Sequence, residues 1–355
     1  AIWTSRPAAP IAPLRAWDDK YAGETAGAKR QRMAAAVAAK GASSLVLTAP
    51  DSIAWLLNLR GGDIPFNPLP GSRTRQFAFV HIAVMGLATF PVPELYNIDF
   101  AQVEPAARAV AENADFVLGI KVRMSENVIA QHGLEPMKRA IAALDMAGTK
   151  GKLMIHMGGV QTQALMSQIL DLLRPGDILT HCYSGAPNNA GEFTNIVQDG
   201  KLLPAALAAK RRGVVFDIGH GGGSFDYTMA EAAIQQGCPP DTISSDVHVF
   251  SANTPGMPYL PWVVSKFVAM GFTLAQAIEM ATAAPAKVIG RVPLLGTLQI
   301  GAPADLSMFD LVDGPVEFVD TRNNKRSGRQ YLKPAGTIVG GVAYGRPYQA
   351  PFSVR

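Results

Sequence analysis

LMIHMGGVQTQALMSQILDLLRPGDILTH, residues 153–181, holds two short apolar runs separated by a stretch rich in Gln, Leu and Ala. Each run closes on a histidine, His156 and His181. A brief apolar run without polar alternation fits a strand buried on both faces, and residues 163–174 between the runs have helical composition. Strand, helix, strand is the repeating unit of a parallel sheet.

The same alternation continues on both sides. Further strand candidates lie at 76–84, 116–122, 214–218 and 242–245, and helical stretches at 103–114, 134–147, 202–212, 228–236 and 260–282. Six such units predict an α/β fold of the (β/α) TIM-like barrel type. A complete barrel has eight strands, so either the first segment supplies two or the barrel is open. The tail returns to short strands, ADLSMFD (304–310) and GTIVGGVAYG (336–345), around a polar loop, VDTRNNKRSGRQ (319–330), which predicts a small C-terminal β appendage.

Before residue 76 the character differs. Residues 26–40 have helical composition, 44–48 read as a short strand, and 53–59 form an apolar run closed by Arg60-Gly61-Gly62. Three prolines and a Gly-Ser pair within 65–72 place a boundary near 68–73. Charge changes there as well. The formal net charge of the chain is +4, and residues 1–75 hold ten Lys and Arg against five Asp and Glu. No stripe interleaves basic and aromatic residues, so nucleic acid is not an expected partner.

With 48% hydrophobic and 17% charged residues among 355, the chain has ample apolar surface for a large core. No apolar stretch reaches the roughly 18 residues of a membrane span, because His81 and Gly86 break the best one. The opening residues lack the order of a signal peptide, which makes a cytoplasmic location the expectation. Cys182 and Cys238 cannot make a disulfide framework and are expected reduced and buried.

The chemistry sits where the apolar runs end. FVLGIK closes on Lys121, LMIH on His156, ILTH on His181, VVFDIGH on His220 and ISSD on Asp246. In a (β/α) barrel those positions converge at the C-terminal mouth, where catalytic groups stand. Two neutral imidazoles and a carboxylate can hold a divalent metal such as Zn²⁺, which brings the pKa of a coordinated water toward 7. Asp246 is placed to exchange protons with nucleophile and leaving group. A buried Lys121 would lose its proton and react with CO₂, giving a carbamate ligand. Read individually, each has a structural alternative: a capping histidine, a snorkelling lysine, an aspartate capping the next turn. His220 lies in GHGGGSF, a glycine-rich stretch that lets backbone approach a ligand or simply turns the chain. His81 and His132 read as structural, and His248 as a neighbour of the site.

GIKVRMS, LMIHMGG, LRPGDILTHCYSG, GVVFDIGHGGGSFDYTMAEAAIQQGCPPDTISSD, SKFVAMGFTLAQAIEMATAAPAKVIGR and GTLQIGAPADLSMFD follow one another between residues 71 and 348. In that order they resemble the amidohydrolase superfamily, and within it the dihydroorotase-like amidohydrolases and deacetylases. The resemblance implies metal-dependent hydrolysis of an amide, cyclic amide or acyl ester, including removal of acyl groups from N-acylated amino acids. It implies that a carboxylated Lys121 bridges two metals, that His156 and His181 bind the second, that Asp246 binds the first and acts as acid and base, and that His220 approaches a small-molecule substrate. The family also carries a His-x-His pair on its first barrel strand, and this sequence contains none. The resemblance therefore implies one or two zinc-type ions and a barrel lacking its first two strands.

Residues 1–69 resemble instead the non-catalytic N-terminal region of Xaa-Pro aminopeptidase, through IWTSRP, YAGETAGAKRQRM and DSIAWLLNLRGGDIPFNPL. The expected organisation is thus an aminopeptidase-like α/β fragment at 1–69, a partial hydrolase barrel at 70–290, and a β appendage with tail at 291–355. The chain reads as a junction of two unrelated proteins. Two other readings stand beside the hydrolase: a catalytically silent fusion, and a module related to aminopeptidase P. An open sheet exposes strand edges, and self-association into a homo-oligomer is one way of covering them.

Overall fold

The computed structural model describes residues 15–16, 19, 24–39, 41, 59–60, 75–86, 92–248, 251–252 and 254–344. The chain divides into two compact units, Ala1–Gln76 with Val339–Val342, and Phe77–Ile338 with Ala343–Arg355. In the first, β1 (Arg15–Ala16) pairs antiparallel with β2 (Leu59–Arg60), and α1 spans Ala26–Ala39. The Thr25 hydroxyl accepts from the Ala28 N–H at 3.0 Å, an N-cap that starts this helix where its alanine-rich stretch begins. The expected strand at 44–48 and most of the run at 53–59 lie outside the described residues.

The second unit is built on a parallel sheet in the order β3 (Ala78–His81), β4 (Val117–Arg123), β5 (Lys152–His156), β6 (Ile178–Thr180) and β9 (Val215–Asp217). Between β6 and β9 a small hairpin of β7 (Val197–Gln198) and β8 (Lys201–Leu202) is inserted. The sixth expected run continues the sheet in part. Thr242 bridges to Asp217, and the N–H groups of Ile218, His220 and Gly221 donate to the carbonyls of Thr242, Ser244 and Ser245.

Helices α2 (Val103–Glu112), α4 (Glu135–Ala147), α5 (Gln163–Leu172) and α6 (Pro204–Arg211) link successive strands, and a single turn, α3 (Glu126–Ile129), follows β4. In α4, Met137, Ala140 and Leu144 recur at helical spacing and are buried, while Pro136 in the first turn and Gly148 beyond the last, at φ 62°, set its ends. This layer covers one face of the sheet. Ile120, Val122, Leu153, Ile155, Leu179 and Phe216 on that face are all at 0% exposure. Each aliphatic group so buried contributes about 1.5–3 kcal/mol of transfer free energy. The other face carries Lys121, Arg123, Met154 and His156, which remain only partly buried.

Two expectations need correction. The stretch at 260–282 is two helices, α8 (Leu260–Ala269) and α9 (Leu274–Ala281), because Gly271 takes φ +101° between them. The polar stretch at 319–330 is mostly strand, since β10 (Leu306–Val319) and β11 (Lys325–Val339) run together with only residues 320–324 turning. Flanking that stretch, Val316, Phe318 and Leu332 are buried at 5%, 0% and 6% exposure, while within it Arg326 reaches Glu231 on α7 (Tyr227–Gln235) at 2.6 Å. Among the described residues no helix is long and apolar enough to cross a membrane, and Cys182 and Cys238 are free and buried.

Candidate active site

The strand register sorts the uncovered face into layers. His81, Lys121, Met154, Ile178 and Val215 are successive cross-strand partners in one row. Arg123, His156, Thr180 and Asp217 form the next row toward the C-terminal ends. Lys121 is therefore not the last residue of its strand, which runs on to Arg123; it sits one layer beneath the mouth. His181 follows β6 directly, at φ +62°, and Asp246 also adopts a left-handed backbone, at φ +45°. These turns bend the chain away from the sheet just where a side chain is presented.

His156 and His181 stand edge to face, with ring centroids 4.3 Å apart. His181 Nδ1 donates to the Gly219 carbonyl, which fixes the tautomer and leaves Nε2 as a lone-pair donor. Burial holds the His181 imidazolium down to about 3, and burial together with the neighbouring His181 pushes His156 well below the usual histidine range. Both rings are neutral at physiological pH. Gly219 is required for this contact, since a Cβ there would lie 2.3 Å from Thr180 Oγ1 and 2.6 Å from His181 Nδ1.

Lys121, His181 and Asp246 line one cavity of about 260 Å³. Burial brings the Lys121 ammonium down to about 8 against the pull of Asp246 and Asp217, and its Nζ lies 3.4 Å from Met154 Sδ. Burial raises the Asp246 carboxyl, and Lys121 opposes that rise. Gly221 packs closely enough that a Cβ would stand 2.7 Å from Asp246 Oδ2.

His220 goes elsewhere. Its ring is fully buried, stacks on Phe225 at 4.9 Å, and meets the Lys266 ammonium at 2.8 Å through Nε2, while Nδ1 donates to the Gly221 carbonyl at 2.9 Å. Both ring nitrogens are thus engaged inside the protein, whereas the family resemblance implied that His220 approaches substrate. Lys266 also donates to the carbonyls of Gly256 and Val319. Its three donors meet three acceptors on separate segments.

Two further groups escaped the sequence reading. Asp217 accepts from Thr180 Oγ1 at 2.6 Å, Thr242 Oγ1 at 2.6 Å and Ser244 Oγ at 2.7 Å, beside the cavity. Glu94, at 2% exposure, binds Arg123 Nη1 at 3.0 Å and faces His81 Nε2 at 3.3 Å. Its carboxyl is held below the usual range by His81 and Arg123 although burial opposes them. His81 is consequently structural, with Nδ1 accepting from the Ala83 N–H at 3.0 Å.

The donor set suits a single divalent cation: two neutral imidazoles side by side, one with its second nitrogen already tied to a carbonyl. Among the described residues no three His, Cys, Asp or Glu side chains cluster as a ready-made metal site.

Residues 223–347 match the model of the amidohydrolase family, and residues 5–79 that of the Creatinase/Prolidase N-terminal domain. A deacetylase of Agrobacterium fabrum is 34% identical over 275 residues, which is 77% of this chain and 64% of that protein, so the chain spans less than two thirds of this relative. The crystal structure of a dihydroorotase is similar at a TM-score of 0.68 and 32% identity, with 77% of this chain and 70% of that one covered. For the N-terminal part, a probable Xaa-Pro aminopeptidase P of Botryotinia fuckeliana is 39% identical over 69 residues, 19% of this chain and 11% of that protein.

Proposed function

Because this chain belongs to the amidohydrolase family, we propose that its second unit performs metal-dependent hydrolysis of an amide-type bond in an N-acylated small molecule, an N-acyl amino acid being the preferred class. The observation that carries this reading is the convergence of Lys121, His181 and Asp246 on one cavity, with His156 edge-on to His181.

In this reading His156 and His181 hold one divalent ion, of the zinc type, through neutral imidazole nitrogens. The ion supplies carbonyl polarisation and a water acidified toward neutral pH. Lys121 is a buried amine able to take up CO₂, and a carbamate there would offer such an ion an anionic oxygen. Asp246, whose carboxyl burial makes less acidic, takes a proton from the attacking water and returns it to the leaving nitrogen. The hydroxyls on Asp217 keep that carboxylate from competing for the leaving group.

The sheet and its continuation at 242–246 correspond, in our reading, to the third through eighth strands of the family barrel, and the β10–β11 hairpin to its C-terminal appendage. The first two strands would have carried the His-x-His pair, so a one-ion site is proposed. The lack of a three-ligand cluster among the described residues favours a second reading, a silent scaffold.

Asp246→Asn decides between them. The hydrolase reading expects wild-type turnover of N-acyl amino acids and a loss of at least about 100-fold in kcat in the variant. Equal turnover removes Asp246 from its role, and no turnover by metal-loaded wild type supports the scaffold.

A further inference from the structure

One wall of the cavity is apolar. Below the mouth, Met154, Ile178 and Val215 share the layer of Lys121, and Phe79, Val288 and Ile289 complete the wall. Three of the polar groups lining the cavity are already engaged. The hydroxyls of Thr180, Thr242 and Ser244 are all spent on Asp217. A side chain lying along Met154, Ile178 and Val215 would therefore meet aliphatic and aromatic surface on that wall.

We propose that this space is an acyl-chain pocket, and that the substrate is an amide of a straight-chain fatty acid of about eight carbons. The proposal rests on the hydrolase reading for its chemistry and names the acyl half of the substrate. At roughly 30 Å³ for each water-sized group, 260 Å³ accommodates about nine such groups. With the carbonyl carbon beside Lys121 and Asp246, the chain lies along Met154, Ile178 and Val215 toward Val288 and Ile289. Hydrolysis breaks the C–N bond. The water oxygen joins the acyl carbon, the protons leave on the amine, and the products are a fatty carboxylate, still seated in the pocket, and an ammonium that departs through the mouth.

The test is calorimetric titration of the full metal-loaded chain with sodium octanoate and, separately, sodium acetate. Each methylene removed from water favours binding by about 4-fold, so octanoate is expected to bind at least about 100-fold more tightly than acetate. Val288→Trp, which fills the pocket from the half-buried face of α10 (Ala283–Val288), is expected to erase most of that difference. Ile178→Phe does the same from the sheet and carries the test if circular dichroism shows the first variant unfolded. Equal affinities for the two carboxylates, or an octanoate preference untouched in a folded variant, overturn the proposal. If octanoate binds as expected while N-octanoyl amino acids are not hydrolysed by the wild type, the hydrolase reading fails and the pocket stands.

Discussion

Lys266 Nζ lies 2.8 Å from His220 Nε2, so a buried lysine amine, which burial brings down to about 7, meets the nitrogen of the histidine that ends VVFDIGH. The same amine reaches the carbonyls of Gly256 and Val319. It thereby ties the glycine-rich loop after β9 to the segment beyond Asp246 and to the end of β10.

Removing that amine should be costly. Lys266→Met keeps most of the stem but leaves two carbonyls and an imidazole nitrogen buried without a donor, at about 1–3 kcal/mol each. A loss of about 3 kcal/mol or more is expected in urea unfolding at pH 7. A loss below 0.5 kcal/mol, on the order of a neutral surface change, would show that the three acceptors find water instead.

Gly219→Ala tests the positioning of His181. A Cβ cannot fit beside Thr180 Oγ1 and the imidazole at φ +48° without moving one of them. We expect zinc affinity to fall by about 10–100-fold, read by competition with a chromophoric chelator. Unchanged affinity would mean that the Gly219 carbonyl does not set the ring.

Acid should unfold the chain early. His156, His181 and His220 are all held neutral, chiefly by burial, with pKa values below the ordinary 6.5. Below pH 6.5 the unfolded chain binds protons that the folded chain refuses, so stability is fully present above that pH and falls as pH falls. Each such histidine contributes a slope of about 1.4 kcal/mol per pH unit. Urea midpoints between pH 7.5 and 4.5 check this, and His220→Gln should shallow the decline by one histidine's share.

Much of the sheet was legible because a parallel strand covered by helices shows itself as an uninterrupted apolar run, as at 153–156 and 178–181. His156 and His181 close those runs, and their rings stand edge to face. Lys266 was not legible, because it lies within an apolar helix whose hydropathy says nothing about where an amine points. Asp217 was hidden in mid-run, in VVFDIGH, where its three hydroxyl partners come from two other segments. For His220 a strand end fixes where the backbone goes but not the ring, which turns toward the amine of Lys266, 46 residues away in sequence.

The most direct test of the account is native mass spectrometry of the zinc-loaded chain beside a His156→Ala, His181→Ala double variant. One zinc ion per wild-type chain and none in a folded double variant is the predicted result. A wild-type chain that carries no ion, or a double variant that keeps it, would contradict the claim that these two imidazoles hold the metal on which hydrolysis depends.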